Sequence, residues 1–442
     1  MSSLNPLARD LNERLESAAP EVFAMLSALG RRLYFPKGIL SQSAEAKAKA
    51  HRFNATIGIA TEGGVPMHLA SVAEQIPGVS AEDAFPYAPA PGQQPLREKW
   101  RDKMLAENPR LRAKSFGLPV VTSAITHGLS LVGDLFVDPG DVLLVPDKLW
   151  GNYRLTYEVR LGGRIETFPF YTGTQFDIAG FEAGLARAAA GREKLVVLLN
   201  FPNNPTGYMP SVAEGEAITS ALLAQAERGT RLVTVLDDAY FGLFYHLGGE
   251  SMTESLFAPL TNAHPNLLAI RLDGATKELF VWGLRCGFLT IGAGRAGSAD
   301  EVSAVLDAKL RGAIRSGISS GPQLSQSLIS KALATPTIDR EREEKRVVLG
   351  ARAAKVFEVA NADRFRASWD VYPFNSGYFM CVETKGIDAE SVRLHLLERD
   401  GIGVIAVGGN DVRVAFSCLE LDEIEPLFEA LHRAVQELSQ AS

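Results

Sequence analysis

Short apolar runs alternate with helix-like stretches through the middle of the chain, and this alternation is the feature that most restricts its fold. Helix-like stretches such as Ser211–Arg228 separate most of the runs. The runs that look like buried strands are Asp141–Val145, Leu195–Leu199, Leu232–Leu236, Leu267–Leu272 and Gly287–Ile291. Strand–helix alternation predicts an α/β fold with a mainly parallel sheet. In such a sheet, ligands bind beyond the carboxyl ends of the strands.

Polar side chains follow three successive strands at those ends. The segments are NFPNNPTG (200–207), DDAY (237–240) and DGATK (273–277). Arg285 comes eight residues after Lys277. The same edge of the sheet therefore receives an amide, an acid with a phenol, and a lysine with an arginine.

A pyridoxal-phosphate (PLP) pocket needs these groups. A lysine forms the Schiff base with the cofactor, and an acid keeps the pyridine nitrogen protonated so that the ring acts as an electron sink. A phenol and an amide can hydrogen-bond the ring hydroxyl, and the planar fork of an arginine suits a phosphate. Taken alone, Lys277 would be a solvated surface lysine. Its place after a buried strand, with Arg285 at this offset, favours the functional interpretation.

Composition excludes several other classes of protein. The formal net charge of −7 argues against a nucleic-acid binder, which usually has a basic face. The three cysteines form no CxxC pair, so we expect neither a metal site nor a disulfide framework. The N-terminus lacks the apolar run of a secretory signal, and no apolar stretch is long enough to span a bilayer. We expect a cytoplasmic protein with no membrane or nucleic-acid partner.

The two ends of the chain differ from its middle. Leucines recur at helical spacing from Leu4 to Leu15, and a second helix is expected through Val22, Leu26 and Leu29. The stretch from Gly58 to Gly92 is rich in glycine and proline and is predicted to be connecting segments.

Near the C-terminus we predict a smaller α+β domain. Its expected elements are a charged helix Ile338–Ala360, strands Phe379–Val382 and Val412–Phe416, and a closing helix Ile424–Leu438. The predicted domains are an N-terminal segment (1–75) that contributes to the small domain, a large PLP-binding α/β domain (76–330) and the small C-terminal domain (331–442).

The motifs, in their order and spacing, resemble those of the fold-type-I PLP-dependent aminotransferases of class I/II, and more closely the aspartate and aromatic aminotransferases. NNPTG is similar to the family's NPTG, DDAY to its Asp-x-Ala-Tyr, ATKELFVWGLRCG to its Ser-x-Ser-Lys…Gly-x-Arg-x-Gly, and NDVRVAFS to its C-terminal arginine strand. The resemblance spans roughly Ile57 to Ser417. It implies a mainly parallel sheet of the seven-stranded type in the large domain.

The resemblance also implies roles for individual residues. Lys277 would form the Schiff base, and Asp237 would pair with the pyridine nitrogen. Arg413 would clamp the α-carboxylate of the substrate, and Gly58 would lie in a loop that closes over it. The remaining cofactor contacts would be Trp150 stacked on the ring, Asn204 and Tyr240 on the ring hydroxyl, Arg285 and Thr276 on the phosphate, and the turn Thr126-His127-Gly128 at a helix N-terminus.

Two positions depart from the family's pattern. The first serine of the lysine motif is Gly274 here, so one hydroxyl is lost, whereas Thr276 at the second serine can still donate. The histidine in the phosphate turn is also unusual, and we expect His127 to be held by its backbone rather than to act as a base.

Two residues indicate a homodimer by resemblance. Tyr87 is similar to a tyrosine that reaches the phosphate of the neighbouring subunit. Arg315, in AIRSGISSGP, holds the place of an arginine that crosses the interface and binds a second substrate carboxylate, and Ser319 would lie near the partner's phosphate. This predicts aspartate, glutamate or their 2-oxo acids as substrates, with aromatic amino acids as a further possibility. For Arg315, a surface ion pair is an equally good interpretation.

The expected reaction is ping-pong transamination between an L-amino acid and a 2-oxo acid, with Lys277 as the proton carrier and a pKa lowered by the cationic pocket. A PLP-dependent lyase, a decarboxylase or other carbon–carbon or carbon–sulfur chemistry on the same scaffold is the alternative. The sensor half of a transcription regulator is a second alternative, disfavoured by the short stretch before Ile57 and by the negative charge. Two local alternatives also remain: Asp238 in place of Asp237, and core packing in place of stacking for Trp150.

Overall fold

The computed structural model describes residues 4–35, 38–293 and 299–441. The α-helices are α1 (Pro6–Ala18), α2 (Pro20–Met25), α3 (Ala28–Arg32), α4 (Ile39–Lys49), α5 (Ala70–Ala73), α6 (Ala81–Ala84), α7 (Gln94–Glu107), α8 (Ala124–Phe136), α9 (Ile178–Ala189), α10 (Val212–Glu227), α11 (Phe257–Leu260), α12 (Ala275–Glu278), α13 (Ala299–Gly317), α14 (Gln323–Ala332), α15 (Ile338–Ala360), α16 (Ala389–His395) and α17 (Leu421–Ala441). Two π-helical turns cover Arg154–Arg160 and Leu396–Asp400. None of the helices in these ranges is long and apolar enough to cross a membrane.

A central sheet of seven strands forms the core of the molecule, in the spatial order β4-β12-β11-β10-β9-β5-β6. Its strands are β4 (Val120–Thr122), β5 (Val142–Pro146), β6 (Arg164–Phe168), β9 (Lys194–Asn200), β10 (Arg231–Asp237), β11 (Leu267–Gly274) and β12 (Gly287–Gly292). Strand β12 runs antiparallel to both of its neighbours, and the other strands are parallel to one another. The predicted mainly parallel α/β sheet is therefore confirmed.

Both faces of this sheet are covered, because alternate residues of each strand enter two different hydrophobic clusters. In β9, Leu195, Val197 and Leu199 belong to one cluster. Val196 and Leu198, which point to the opposite face, belong to the other. A strand buried on both faces needs apolar residues at every position, and this is why the strands appear in the sequence as continuous apolar runs.

A second, antiparallel sheet lies in the C-terminal part of the chain, in the order β13-β14-β17-β16. Its strands are β13 (Trp369–Val371), β14 (Phe379–Thr384), β16 (Ile405–Val407) and β17 (Asp411–Ala415). Three short two-stranded pairings complete the structure: β1 (Phe53–Asn54) with β15 (Ile402–Gly403), β2 (Thr61–Glu62) with β3 (Val65–Pro66), and β7 (Tyr171–Thr172) with β8 (Gln175–Phe176).

Helices α15 and α17 pack on the second sheet through a third cluster, to which Val356, Leu427 and Leu431 belong. The predicted helix Ile338–Ala360 is confirmed over its full length, and the predicted closing helix is extended at both ends. At the N-terminus, the second expected helix is divided into α2 and α3 by Leu26, whose extended backbone ends α2. The division into domains 1–75, 76–330 and 331–442 stays a prediction.

Gly207 connects the two sheets at a point where a side chain has no room. Its φ is +77°, and a Cβ atom there would lie 2.0 Å from the backbone oxygen of Phe379 in β14. We expect Gly207→Ala to lower the free energy of unfolding by roughly 3–5 kcal/mol, since it combines a left-handed backbone with a backbone clash.

Chemical denaturation of the apoprotein measures this effect. Gly191→Ala is the matched control, because Gly191 has a similar φ of +71° but an added Cβ would meet nothing within 4 Å. The control should lose only about 1 kcal/mol. Equal losses for the two variants would show that the contact with Phe379 is unimportant.

Candidate active site

A cavity of about 380 Å³ lies at the carboxyl ends of the central strands. Ten residues named by the sequence analysis line it: Gly58, Thr126, Trp150, Asn204, Asp237, Tyr240, Thr276, Lys277, Arg285 and Arg413. These residues come from both ends and the middle of the chain, and the parallel sheet brings them together because β9, β10 and β11 all end at the same edge.

Lys277 lies in the short helix α12, directly after β11. Its Nζ is 3.4 Å from the backbone oxygen of Gly58 and 5.6 Å from the centre of the Tyr240 ring. Burial and the charges of Arg285 and Arg413 lower the pKa of this amine, Asp237 opposes them, and the net result is a pKa of about 8. The sequence analysis expected the cationic surroundings to act in this direction, but burial is the larger cause. A neutral amine is therefore accessible close to neutral pH.

The structure distinguishes Asp237 from Asp238. Asp237 ends β10 and lines the cavity, where its two carboxylate oxygens accept hydrogen bonds from the Tyr153 hydroxyl (2.6 Å) and the Ala239 amide (3.2 Å). Burial raises the pKa of Asp237 to about 6, although both hydrogen bonds lower it. Asp238 accepts from Arg271 Nε at 2.7 Å inside the core and does not line the cavity. The two acids therefore have different environments, and of the two only Asp237 lines the cavity.

Arg413 lies in β17, at the opposite wall of the cavity. Its guanidinium donates to Asn204 Oδ1 (3.1 Å) and to the backbone oxygen of Thr56 (2.8 Å), and it lies 4.0 Å above the ring of Phe379. These contacts hold the plane of the guanidinium in one orientation. A fixed, buried guanidinium is well suited to bind a carboxylate through two parallel hydrogen bonds.

Three residues of the cavity wall carry a buried polar atom with no hydrogen-bond partner among the described residues. The atoms are Nε of Arg413, Oγ1 of Thr276 and Nε1 of Trp282. Burying a polar group without a partner costs free energy, so such atoms usually bind a ligand or an ordered water. The donors of Arg413 and Thr276 fit a ligand that carries anionic groups at two separate places.

The segment Ile57–Ile59 covers one side of the cavity. The Ser417 hydroxyl donates to the backbone oxygen of Ile59 at 2.6 Å, and the Cys418 thiol lies 3.4 Å from the same oxygen. Because Ser417 and Cys418 follow β17, the segment is attached to the strand that carries Arg413. The loop and this arginine are therefore expected to move together.

The predicted phosphate turn is only partly at the cavity. Thr126, in the first turn of α8, lines it, whereas His127 and Gly128 are absent from its described lining. His127 Nδ1 accepts a hydrogen bond from the Ser123 amide at 3.1 Å, and an added Cβ on Gly128 would lie 2.8 Å from Leu272. His127 thus caps a backbone group, and Gly128 allows α8 to pack closely on β11.

Tyr87 and Arg315 lie outside the cavity of this chain. Tyr87 is 92% exposed, and the Arg315 guanidinium donates to the Ser319 hydroxyl at 2.6 Å on the surface. Neither residue is among those that line the cavity.

Ile57, next to Gly58 in the predicted loop, also lines the cavity. Several other lining residues were missed by the sequence analysis: Ile39, Ile59, Ala124, Ile125, Tyr153, Asn200, Ala239, Trp282 and Phe379. For two of them the sequence held a signal that could have indicated a place in the site. Asn200 opens the NFPNNPTG segment, and Tyr153 follows Trp150 by about one helical turn. Phe379 had none, because nothing in its strand distinguishes it from a core residue.

Comparison with known proteins agrees with this geometry. The family model described as aminotransferase class I and II matches residues 61–431. The chain belongs to the class I and II aminotransferases. The predicted family is confirmed, and so is PLP as the cofactor of its members.

Individual relatives of this aminotransferase chain are distant. It is 24% identical over 368 residues to an aromatic-amino-acid aminotransferase of Escherichia coli, which covers 81% of this chain and 88% of the relative. It is 26% identical over 174 residues to an aspartate aminotransferase of Musicola paradisiaca, or 38% of this chain and 39% of the relative. The chain thus spans about two fifths of the length of that curated relative.

A solved structure of an aminotransferase from Anaerococcus prevotii has a TM-score of 0.80 to this chain. The two are 22% identical, and the match covers 93% of this chain and 99% of that one. At this identity the likeness concerns the fold alone, and it confirms the predicted PLP fold type I.

Proposed function

We propose that this protein is a PLP-dependent aminotransferase that moves an amino group between an L-amino acid and a 2-oxo acid, with Lys277 as the residue that bonds the cofactor. The observation that carries the proposal is the buried Lys277 amine, which shares one cavity with the Asp237 carboxylate and the Arg413 guanidinium. A basic amine, an acid and a carboxylate clamp are the three protein groups that the reaction requires.

The residues present fit the cofactor. Thr276 offers an unpartnered hydroxyl and Arg285 an exposed guanidinium for the phosphate, at the side of the cavity where α8 begins. Asn204 accepts from Arg413 through Oδ1, which leaves its amide nitrogen as a donor to the ring hydroxyl, alongside Tyr240. When bound, PLP supplies an electron sink for the charge that develops at the substrate α-carbon.

Each protein group then has one task. Asp237 keeps a proton on the pyridine nitrogen, and Trp150 stacks against the ring. Arg413 binds the substrate α-carboxylate and so fixes the orientation of the α-carbon. The Lys277 amine, freed when the substrate amine takes its place on the cofactor, would remove the α-proton and return it at C4′, and this requires the neutral form of the amine. Addition of water would then release the 2-oxo acid and leave the amino nitrogen on the cofactor, from which a second 2-oxo acid would take it by the same steps in reverse order.

We further propose a dicarboxylic or aromatic amino acid as the substrate. Aspartate and aromatic-amino-acid aminotransferases among the relatives support this choice. Arg315 would bind the second carboxylate across a homodimer interface, and Tyr87 would reach the partner's phosphate. Their exposure outside the cavity of their own chain supports a role in the partner's site.

We propose a cytoplasmic location, as the low cysteine content favours.

The dimer is tested by sedimentation of the active protein. A homodimer is expected at the concentrations used for assays. Arg315→Ala should lower kcat/KM for aspartate as the amino donor far more than kcat/KM for phenylalanine. A monomer with full activity would exclude the shared site.

An absorption spectrum of the purified protein tests the reaction. With PLP added, a visible band is expected, and glutamate or aspartate alone should convert it to a near-ultraviolet band that a 2-oxo acid reverses. A band that no amino donor converts would indicate a lyase, a decarboxylase or another PLP reaction. No visible band after addition of PLP would overturn the proposal.

The pKa of Lys277 predicts how the rate of PLP binding to the apoprotein depends on pH. Since only the neutral amine attacks the aldehyde and its pKa is lowered to about 8, the rate should rise about tenfold per pH unit below pH 8 and level off above it. An unperturbed lysine would keep rising toward pH 10. Stopped-flow absorbance over pH 6–10, with ionic strength held constant, distinguishes the two profiles.

A further inference from the structure

Tyr153 contacts the acid of the active site from behind. It lies in the helical turn that leads into Arg154–Arg160, and its side chain is buried. Its hydroxyl donates to Asp237 Oδ2 at 2.6 Å. Burial, together with the neighbouring carboxylate, holds the pKa of Tyr153 well above its usual value, so the phenol keeps its proton and remains a donor at any physiological pH.

The same ring also contacts the residue proposed to stack on the cofactor. The Tyr153 and Trp150 rings meet edge to face, with their centres 5.6 Å apart. One side chain therefore touches both the acid and the aromatic wall of the cavity. Its removal would affect the orientation of both.

Few groups stabilise the ionised form of the Asp237 carboxylate. The Ala239 amide donates to Oδ1 at 3.2 Å, a longer hydrogen bond than that from Tyr153. The Lys277 amine favours the ionised form from a distance, and burial opposes it. The Tyr153 hydroxyl thus supplies the only side-chain hydrogen bond that the described residues make to this carboxylate.

We propose that Tyr153 is a positioning residue that keeps the Asp237 carboxylate ionised and directed into the cavity. The proposal rests on the proposed function, in which that carboxylate holds a proton on the cofactor's pyridine nitrogen. In this proposal Tyr153 is assigned no contact with the reacting carbon. Its effect therefore reaches the cofactor through Asp237.

Tyr153→Phe removes one oxygen atom and keeps the ring against Trp150. Without the hydroxyl, Asp237 should take up a proton at a higher pH, and a protonated acid no longer pairs with the pyridinium. The affinity of the full-length apoprotein for PLP should then fall roughly five- to thirtyfold more than in the wild type when the pH is lowered from 8 to 6. Equilibrium titration of PLP fluorescence measures this without any turnover.

Tyr157→Phe is the matched control. Tyr157 lies one turn further along the same helical segment and is also buried, but its hydroxyl donates to the backbone oxygen of Leu129 at 3.1 Å. Its loss should leave the pH dependence of PLP affinity unchanged. In turnover assays, Tyr153→Phe should lower kcat and leave KM for the amino donor nearly constant, because Arg413 is intact.

The outcomes separate the two proposals. A wild-type apoprotein that binds no PLP would overturn the proposed function. A wild type that binds PLP, with Tyr153→Phe and Tyr157→Phe giving the same pH dependence, would overturn the role of Tyr153 alone.

If Tyr153→Phe does not fold, the change is made together with Asp237→Asn, where no buried charge is left unpaired. In that background it should have no further effect on PLP affinity, and an added pH-dependent loss would contradict the proposal.

Discussion

Lys277→Ala should abolish the catalytic cycle. Without the amine, no covalent bond holds the cofactor and no group carries the proton away from the α-carbon. We expect turnover to fall by roughly 10⁴-fold or more, since proton transfer by a positioned group alone contributes up to about that factor. The visible band of the protein with PLP should disappear as well, and single-turnover absorbance with glutamate measures both effects.

A control for Lys277→Ala must distinguish the loss of the amine from damage to the fold of the cavity. Small primary amines added to the variant should restore a fraction of the proton transfer if the cavity is intact. Lys309→Ala, on the exposed face of α13, should behave as the wild type. A variant that keeps the visible band, or more than about a hundredth of the turnover, would show that another lysine bonds the cofactor.

Arg413→Leu should have the second largest effect, and it should be confined to substrates with an α-carboxylate. The guanidinium is buried and oriented by Asn204, Thr56 and Phe379, so a leucine leaves the carboxylate desolvated without a partner. Truncating one side of such a pair costs about 2–5 kcal/mol, which is roughly a 30- to 5,000-fold loss in kcat/KM. Steady-state kinetics with a good amino donor measures it.

The specificity of this loss is the sharper test. Phenylalanine and 2-phenylethylamine differ only by the carboxylate, and the wild type should strongly prefer the amino acid. In Arg413→Leu this preference should collapse, because the amine never used the guanidinium. Arg413→Lys, which keeps the charge but not the fork, should lie between the two. An unchanged preference would place the carboxylate elsewhere in the cavity.

Much of the site could be predicted from the order of residues along the chain, because several site residues lie at the ends of strands with a clear apolar pattern. Asp237 ends β10, Asn204 and Lys277 come within four residues of the ends of β9 and β11, and parallel strands bring their carboxyl ends to one edge. The order of the motifs then matched a family of PLP enzymes, which the family comparison confirmed.

Other features depended on contacts between residues far apart in the chain. The choice between Asp237 and Asp238 rests on the strand's alternation and on Arg271, which occupies the core side. The hydroxyl of Tyr153 reaches Asp237 across 84 residues of sequence. Similarly, the apolar pattern of β12 does not predict whether it runs parallel or antiparallel to its neighbours, since both orientations bury the same side chains.

By itself, the sequence determined five of the seven central strands, the chemical groups at the ends of β9, β10 and β11 and the cofactor that those groups suit, because these properties depend on local pattern and residue type. Only the tertiary structure decided which oxygen, amine or guanidinium is buried, oriented and left without a partner. Burial and hydrogen-bond geometry arise from distant segments packed together, and they determine the pKa of Lys277 and of Asp237.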